Sequence, residues 1–416
     1  MQEFFKNNRK KVISSLKEDK AIIFLFSGKA QLKTCDQFFP FEPNRNFYYM
    51  TGIDKPHIIY MAIKNGENIE ETLFIERYDE LKAKWEGKTI CEDEAKNISG
   101  IENIKYIDEF YASVSNVMFR NSIEVAYLDL ENRYLDNSKR VFKHVDLLKQ
   151  NYPHVSIKNI YNDLGYCRLF KEPQEVENIK KAINITKKGI ENIWKNTKPN
   201  IMEYELEACF DYEIKRSGSK DKAFNTILAS GSNATVLHYG ENNDKINDGE
   251  LILIDLGATY GYYNADISRT FPANGKFSER QKQLYNIVLE GQRKVIEAIK
   301  PGLPFKRLNE ILIEHYEEEL KKIGLIKDRS EISKYYYHGV SHYLGLDTHD
   351  VSRDLGTDNG LKQGMVITVE PGLYIAEEGI GIRIEDDILV TETGYENLSK
   401  DIIKTVEEIE EFFKNR

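Results

Sequence analysis

The sequence predicts an α/β (α+β) protein of two domains, on three observations. At 416 residues the chain is too long for one hydrophobic core, because single cores stop growing near about 250–300 residues. Residues 1–160 alternate short apolar runs with charge-rich helical stretches. From Pro173 onward, long helices of 3.6-residue period lead into hairpins that carry acidic residues. The texture changes within 161–173, so the expected domains are 1–165, an N-terminal mixed α/β domain, and 166–416.

In the first domain, AIIFLFSG (21–28), NFYYMTG (46–52), HIIYMAIKNG (57–66) and ETLFIE (71–76) read as strands bounded by Gly, Asn and Pro. Residues 81–85, 110–119 and 138–149 read as helices. His57, His144 and His154 lack ligand-pair spacing and read as structural.

In the second domain, Pro173 suits a first helical turn, where a missing N–H costs little. Val176, Ile179, Ile183, Thr186, Ile190 and Ile193 then recur along one helix face. A second helix spans 202–216 and stops before Gly218. Residues 224–240 are strand-like, with His238 near their end. Ser278 and Gln281 have capping-box spacing at the start of a third helix. A fourth covers 305–323, with His315 as a structural residue and Gly324 as its stop.

Composition excludes several classes. Lys and Arg number 58 against 68 Asp and Glu, a net charge of −10, so no basic surplus exists to neutralise nucleic-acid phosphates. The longest early apolar run, 21–26, is far too short for a signal peptide or a membrane helix. Cys35, Cys91, Cys167 and Cys209 are scattered without CxxC spacing, which fits free thiols in a cytoplasmic protein.

The chemistry centres on LILIDLGATYGYYNADISRTF (251–271), two apolar runs that each carry one aspartate. A turn at Tyr260-Gly261 with unbroken register sets Asp255 opposite Asp266, with Cβ atoms roughly 4.5–5.5 Å apart. Such like charges need a cation between them. Residues 365–375 and 381–391 read as a second hairpin, with Glu370 before Pro371-Gly372 and Glu385 within IRIEDDIL. HGVSHYLGLDTHD (338–350) supplies His338, His342 and His349.

Taken singly, each acid has an ordinary reading as a strand-end cap, and each histidine as a satisfied core residue. Together, four carboxylates on apolar strands cannot all be buried unpaired, and Arg383 is the one strand arginine expected to compensate them. One imidazole with four carboxylates suits Mn²⁺, Fe²⁺, Co²⁺ or Zn²⁺ and lacks the spacing of a calcium loop. Two such ions bridged by carboxylates form a hydrolytic centre.

These four motifs, with FFPFEPNRNFYYMTG (38–52) and KWEGKTI (84–90), resemble the pita-bread-fold metallopeptidases and, within them, aminopeptidase P. The resemblance covers nearly the whole chain. It implies a catalytic pita-bread domain at 166–416 behind a non-catalytic N-terminal domain. It also implies two divalent ions, Mn²⁺ with Co²⁺ or Zn²⁺ as alternatives, held by Asp255, Asp266, His342, Glu370 and Glu385. Asp266 and Glu385 would bridge both ions, Asp255 would serve one, and His342 and Glu370 the other.

The implied reaction releases the N-terminal residue from peptides with proline second, through attack by a bridging hydroxide. Glu370 would carry the proton, His349 and His238 would donate hydrogen bonds to the substrate, His338 would line the site, and Arg383 would orient the carboxylates. The family precedent adds a homodimer or homotetramer, with no nucleic-acid or membrane partner. A prolidase restricted to Xaa-Pro dipeptides is the alternative, followed by a non-catalytic binding protein of the same fold. Phe224 departs from the tyrosine expected two residues before the Thr of NTI, which removes one hydroxyl near the metals.

Overall fold

The computed structural model describes residues 2–131, 140–351 and 360–416, and it divides into two units, Met1–Arg168 and Leu169–Arg416. The first unit is built on a six-stranded mixed sheet. Its strand order is Ile104–Tyr106, Asn68–Ile75, Ile59–Asn65, Lys20–Phe26, Val125–Leu128 and Ser156–Asn159. Lys20–Phe26 is central, antiparallel to Ile59–Asn65 and parallel to Val125–Leu128. Both its faces are covered, which is why Ala21 to Leu25 read as an unbroken apolar run.

NFYYMTG is a helix, Arg45–Thr51, and not the strand its aromatic content suggests. Its ends decide the matter. Asn44 accepts a hydrogen bond from the Phe47 amide at 2.8 Å, and Gly52 closes the last turn at φ 70°. Helices Glu80–Glu86, Phe110–Arg120 and Arg140–Asn151 cover the three helical stretches, while residue 138, where the last was expected to begin, lies outside the described residues.

The second unit opens on helix Pro173–Asn196, whose capping box joins Glu172 and Glu175, followed by Glu203–Arg216. Helix Glu279–Ala298 starts at Ser278, which exchanges capping bonds with Gln281, and Phe305–Lys322 packs beside it. Within 224–240 only Ile227–Ser230 is a strand; Gly231–Thr235 coils into a short 3₁₀ turn that leads to His238.

Two small antiparallel sheets present the acids. In the first, Leu251–Leu256 lies between Ile227–Ser230 and Ile267–Pro272. In the second, Asp386–Val390 lies between Val366–Val369 and Tyr395–Asn397. A two-stranded ladder, Gly372–Ile375 with Ile380–Arg383, extends the second hairpin.

The first hairpin does not have the expected register. Its turn residues are Gly261 and Tyr262, at φ 57° and 66°, and Tyr260 pairs with Tyr263. Two central residues of positive φ match the twist of the flanking strands, which outweighs the strain on a tyrosine. Asp255 therefore faces Ser268, and the direct Asp255–Asp266 pair does not form. The shift is two residues, so by the two-residue period of a strand both aspartates stay on one face as diagonal neighbours. Gly257 makes this possible: a Cβ there would sit 1.8 Å from the Ala265 carbonyl oxygen.

The opposed acid pair occurs in the second hairpin instead. Val369 pairs with Asp386 and Gly372 with Arg383, and that register carried through the gap sets Glu370 opposite Glu385. The ladder is interrupted there, at Pro371, which has no N–H to donate.

Candidate metal centre

Three stretches of the second unit bring the acids and His342 together. Asp266 leaves the ladder, and its amide donates to the Asp387 carboxylate at 3.2 Å. The Glu385 amide donates to the Ser268 carbonyl at 3.1 Å, which ties the two hairpins to each other. The segment around His342 runs along Val366–Val369: the Thr368 amide donates to the His342 carbonyl, and the Glu370 amide to that of Val340, each at 2.9 Å.

Asp266, His342 and Glu385 each offer a ligand atom within 4.8 Å of the others. His342 Nε2 lies 3.3 Å from Asp266 Oδ2, 3.6 Å from Glu370 Oε1 and 4.0 Å from Glu385 Oε1. Its Nδ1 donates to the Tyr343 carbonyl at 3.1 Å, so the Nε2 lone pair is the one turned toward the acids. Asp255 is reached differently: Arg383 donates to its Oδ2 at 2.7 Å, while its Oδ1 is buried with no partner among the described residues.

Electrostatics mark the cluster as incomplete. Burial, then the charges of Asp255, Asp387 and Glu370, push the Asp266 carboxyl well above its ordinary range. Burial, then Asp266, Glu370 and Asp255, do the same to Glu385. Burial pushes Glu370 up to about 7 against the opposing charges of His342 and Arg383. Hard oxygen donors, one imidazole lone pair and an orphaned carboxylate oxygen fit divalent cations.

A pH dependence follows. In the metal-free chain the Glu370 carboxyl holds a proton that the unfolded chain would release, so its contribution to stability is full below about pH 4.5 and is lost as pH rises through about 7; Asp266 and Glu385 shift in the same direction. Bound cations displace the same protons. Mn²⁺ affinity should therefore rise by up to about tenfold per pH unit for each proton released between pH 6 and 8. Calorimetric titrations in buffers of differing ionisation heat measure that release; an affinity independent of pH over this range would contradict it.

Around the acids lies a cavity of about 640 Å³, lined by all five expected ligands together with His238, His338, His349, Phe224 and Arg383. The His349 ring stands 4.2 Å from that of His342. His238 is exposed at the cavity wall. His338 is engaged at both nitrogens: Nδ1 donates to the Gly339 carbonyl, and Nε2 accepts from the Tyr374 hydroxyl, both at 2.8 Å. Burial and the charge of Arg383 push it down to about 4, so it is neutral at pH 7.

Arg383 acts on more than carboxylates. It also donates to Tyr374 Oη and Ser268 Oγ, each at 3.0 Å, and Ser268 Oγ in turn donates to Glu385 Oε2 at 2.8 Å. Nor is it the only strand arginine beside the acids. Arg269, fully buried, belongs to the opposite face of Ile267–Pro272 by alternation and pairs with Asp386 at 2.8 Å. Ser268, Tyr374 and Asp387 escaped sequence reasoning, although each lies an even number of residues from a predicted ligand on the same strand or its extension, and so on its face.

A cavity walled by buried acids and histidines defines a metallohydrolase. The profile of Metallopeptidase family M24 matches residues 177–392 and that of the aminopeptidase P N-terminal domain residues 5–126; this chain belongs to the M24 metallopeptidases, in the aminopeptidase P group. The Escherichia coli Xaa-Pro aminopeptidase is 32% identical over 98% of this chain and 96% of that protein. The mitochondrial Intermediate cleaving peptidase 55 of Arabidopsis thaliana is 30% identical over 99% of this chain and 83% of its own length. Among solved structures, a Bacillus anthracis chain provisionally assigned to aminopeptidase P is 53% identical with a TM-score of 0.96, covering 100% of this chain and 98% of that one. E. coli aminopeptidase P with the inhibitor Pro-Leu is 31% identical with a TM-score of 0.91 and the same coverage. The second unit thus has the pita-bread fold, and the protein is a hydrolase, an aminopeptidase.

Proposed function

We propose that this aminopeptidase releases the N-terminal residue from peptides with proline in the second position, at a centre of two divalent ions, Mn²⁺ by preference over Co²⁺ or Zn²⁺. The observation that carries the proposal is the meeting of Asp266, His342 and Glu385 on one wall of the cavity, with an unpartnered Asp255 oxygen beside them. The Xaa-Pro aminopeptidases among the relatives support the substrate class.

In this reading Asp255, Asp266, His342, Glu370 and Glu385 would hold the ions, with Asp266 and Glu385 shared between them, Asp255 serving one and His342 and Glu370 the other. When bound, the ions supply an activated water and Lewis-acid polarisation of the scissile carbonyl. Glu370, whose side chain keeps 17% exposure, is the ligand able to take a proton from the nucleophile side and deliver it to the leaving nitrogen. His349 and His238 donate hydrogen bonds to substrate carbonyls. His338, with both nitrogens engaged, offers its ring as a cavity wall. Arg383 fixes the Asp255 carboxylate directly and Glu385 through Ser268.

A reducing compartment suits the four free cysteines, so we place the protein in the cytoplasm, as a homodimer or homotetramer. Among the described residues no helix is long and apolar enough to cross a membrane.

Peptide hydrolysis tests the reading. Xaa-Pro-Yaa peptides should be cut at least about 100-fold faster, in kcat/KM, than proline-free tripeptides, a difference of roughly 3 kcal/mol. Cleavage of Xaa-Pro dipeptides alone would favour the prolidase reading. Preference for proline-free peptides would reject both.

A further inference from the structure

Gln292 lies behind the metal centre, on helix Glu279–Ala298, with no exposed surface. Its carboxamide nitrogen donates twice, to the Val369 carbonyl at 3.1 Å and to the Ile384 carbonyl at 3.0 Å. These carbonyls immediately precede Glu370 and Glu385 in the chain. They flank the gap where the second hairpin's ladder is interrupted, between the Val369–Asp386 and Gly372–Arg383 pairs. Beside the one backbone bond that crosses this gap, from the Ile384 amide to the Pro371 carbonyl at 3.3 Å, this side chain ties together the two backbones whose acids stand opposed in register.

The other end of the carboxamide is anchored as well. Gln292 Oε1 accepts from Lys404 Nζ at 2.7 Å, and Lys404 also pairs with Asp386. Asp386 is held in turn by Arg269, which donates to the Glu385 carbonyl at 2.6 Å. Every polar atom of the Gln292 side chain is engaged, and its orientation is unambiguous: two carbonyls require the nitrogen, and the ammonium requires the oxygen.

We propose that Gln292 is a positioning residue for the metal centre. It bridges the interrupted ladder and so sets the separation of Glu370 and Glu385, and with it divalent-ion affinity and coordination geometry. The inference rests on the ligand reading given above. The interruption aims both glutamates at the cavity. Pro371 has no N–H, so the Ile384 carbonyl lacks its ladder donor, while the Val369 carbonyl, still paired with Asp386, has a second lone pair to offer. A carboxamide with two N–H groups satisfies both without closing the gap. Neither a hydrocarbon nor a carboxylate of the same size can.

The test uses the full-length chain with Mn²⁺ and Co²⁺ as probes. Gln292→Met keeps the volume and loses both donors; Gln292→Glu also keeps an acceptor toward Lys404, and so gives a second route to a folded variant. Both should bind Mn²⁺ at least tenfold more weakly and alter the visible absorption of bound Co²⁺, which reports ligand geometry. Affinity within twofold of wild type with an unchanged Co²⁺ spectrum would overturn the proposal, even if the metal-free variant melts at lower temperature, since that is what a packing role alone produces. Asp266→Asn is the control. If it binds ions as wild type does, the ligand reading itself has failed; if it loses them while the Gln292 variants do not, only the bridging role has failed.

Discussion

Replacing Glu370 with alanine is expected to lower kcat by about 10³-fold or more while the chain stays folded. Burial already holds this carboxyl near 7 in the metal-free chain, with Asp255 adding to the shift. Removing it deletes a repulsive neighbour of Asp266 and Glu385, so the chelated variant should melt no lower than wild type at pH 8. Function is thus lost with no loss of metal-free stability. Turnover on a saturating Xaa-Pro-Yaa peptide, metal content and circular dichroism together decide the matter. A variant that keeps more than a tenth of wild-type kcat would sink the role given to Glu370.

The second large effect concerns stability. Arg269→Met should destabilise the second unit by about 3–5 kcal/mol, the usual result of removing one partner of a buried ion pair. Arg269 makes five hydrogen bonds: to Asp386 Oδ1 and to the carbonyls of Ser268, Glu385, Ile402 and Ile403. Although burial opposes it, Lys404 and Arg269 hold the Asp386 carboxyl well below the usual range, so the charge remains and would be left to Lys404 and Asn397, with Oδ1 unpaired. Urea denaturation of the chelated chain measures the loss. A change under about 1 kcal/mol would mean that Lys404 alone is enough for Asp386.

What the sequence made legible follows from where local chemistry decides the outcome. The helices that begin at Pro173 and Ser278 could be read because their caps are local and their apolar stripes long. The Arg45–Thr51 helix was misread because two capping residues outweigh a β-rich composition over only seven positions. In the first hairpin, the choice between Tyr260-Gly261 and Gly261-Tyr262 turns on which pair takes positive φ, and Tyr262 gives no composition signal for it. The aspartates were still found, since an error of two residues does not change which face a side chain takes. Ser268 and Tyr374 were hidden for another reason: a hydroxyl carries no charge to balance, so the argument from unpaired acids passes over it. Gln292 could not be read at all, because its partners are backbone carbonyls on two strands far along the chain.

The order in which Asp266, His342 and Glu385 occur along the chain bears on how the protein acquires its ions. Each comes from a separate segment, and Glu385 follows the other two, so a growing chain displays the first hairpin's aspartates well before the remaining donors exist. Two carboxylates alone are a weak, unselective trap. Ion capture is then a late event that follows the docking of distant hairpins.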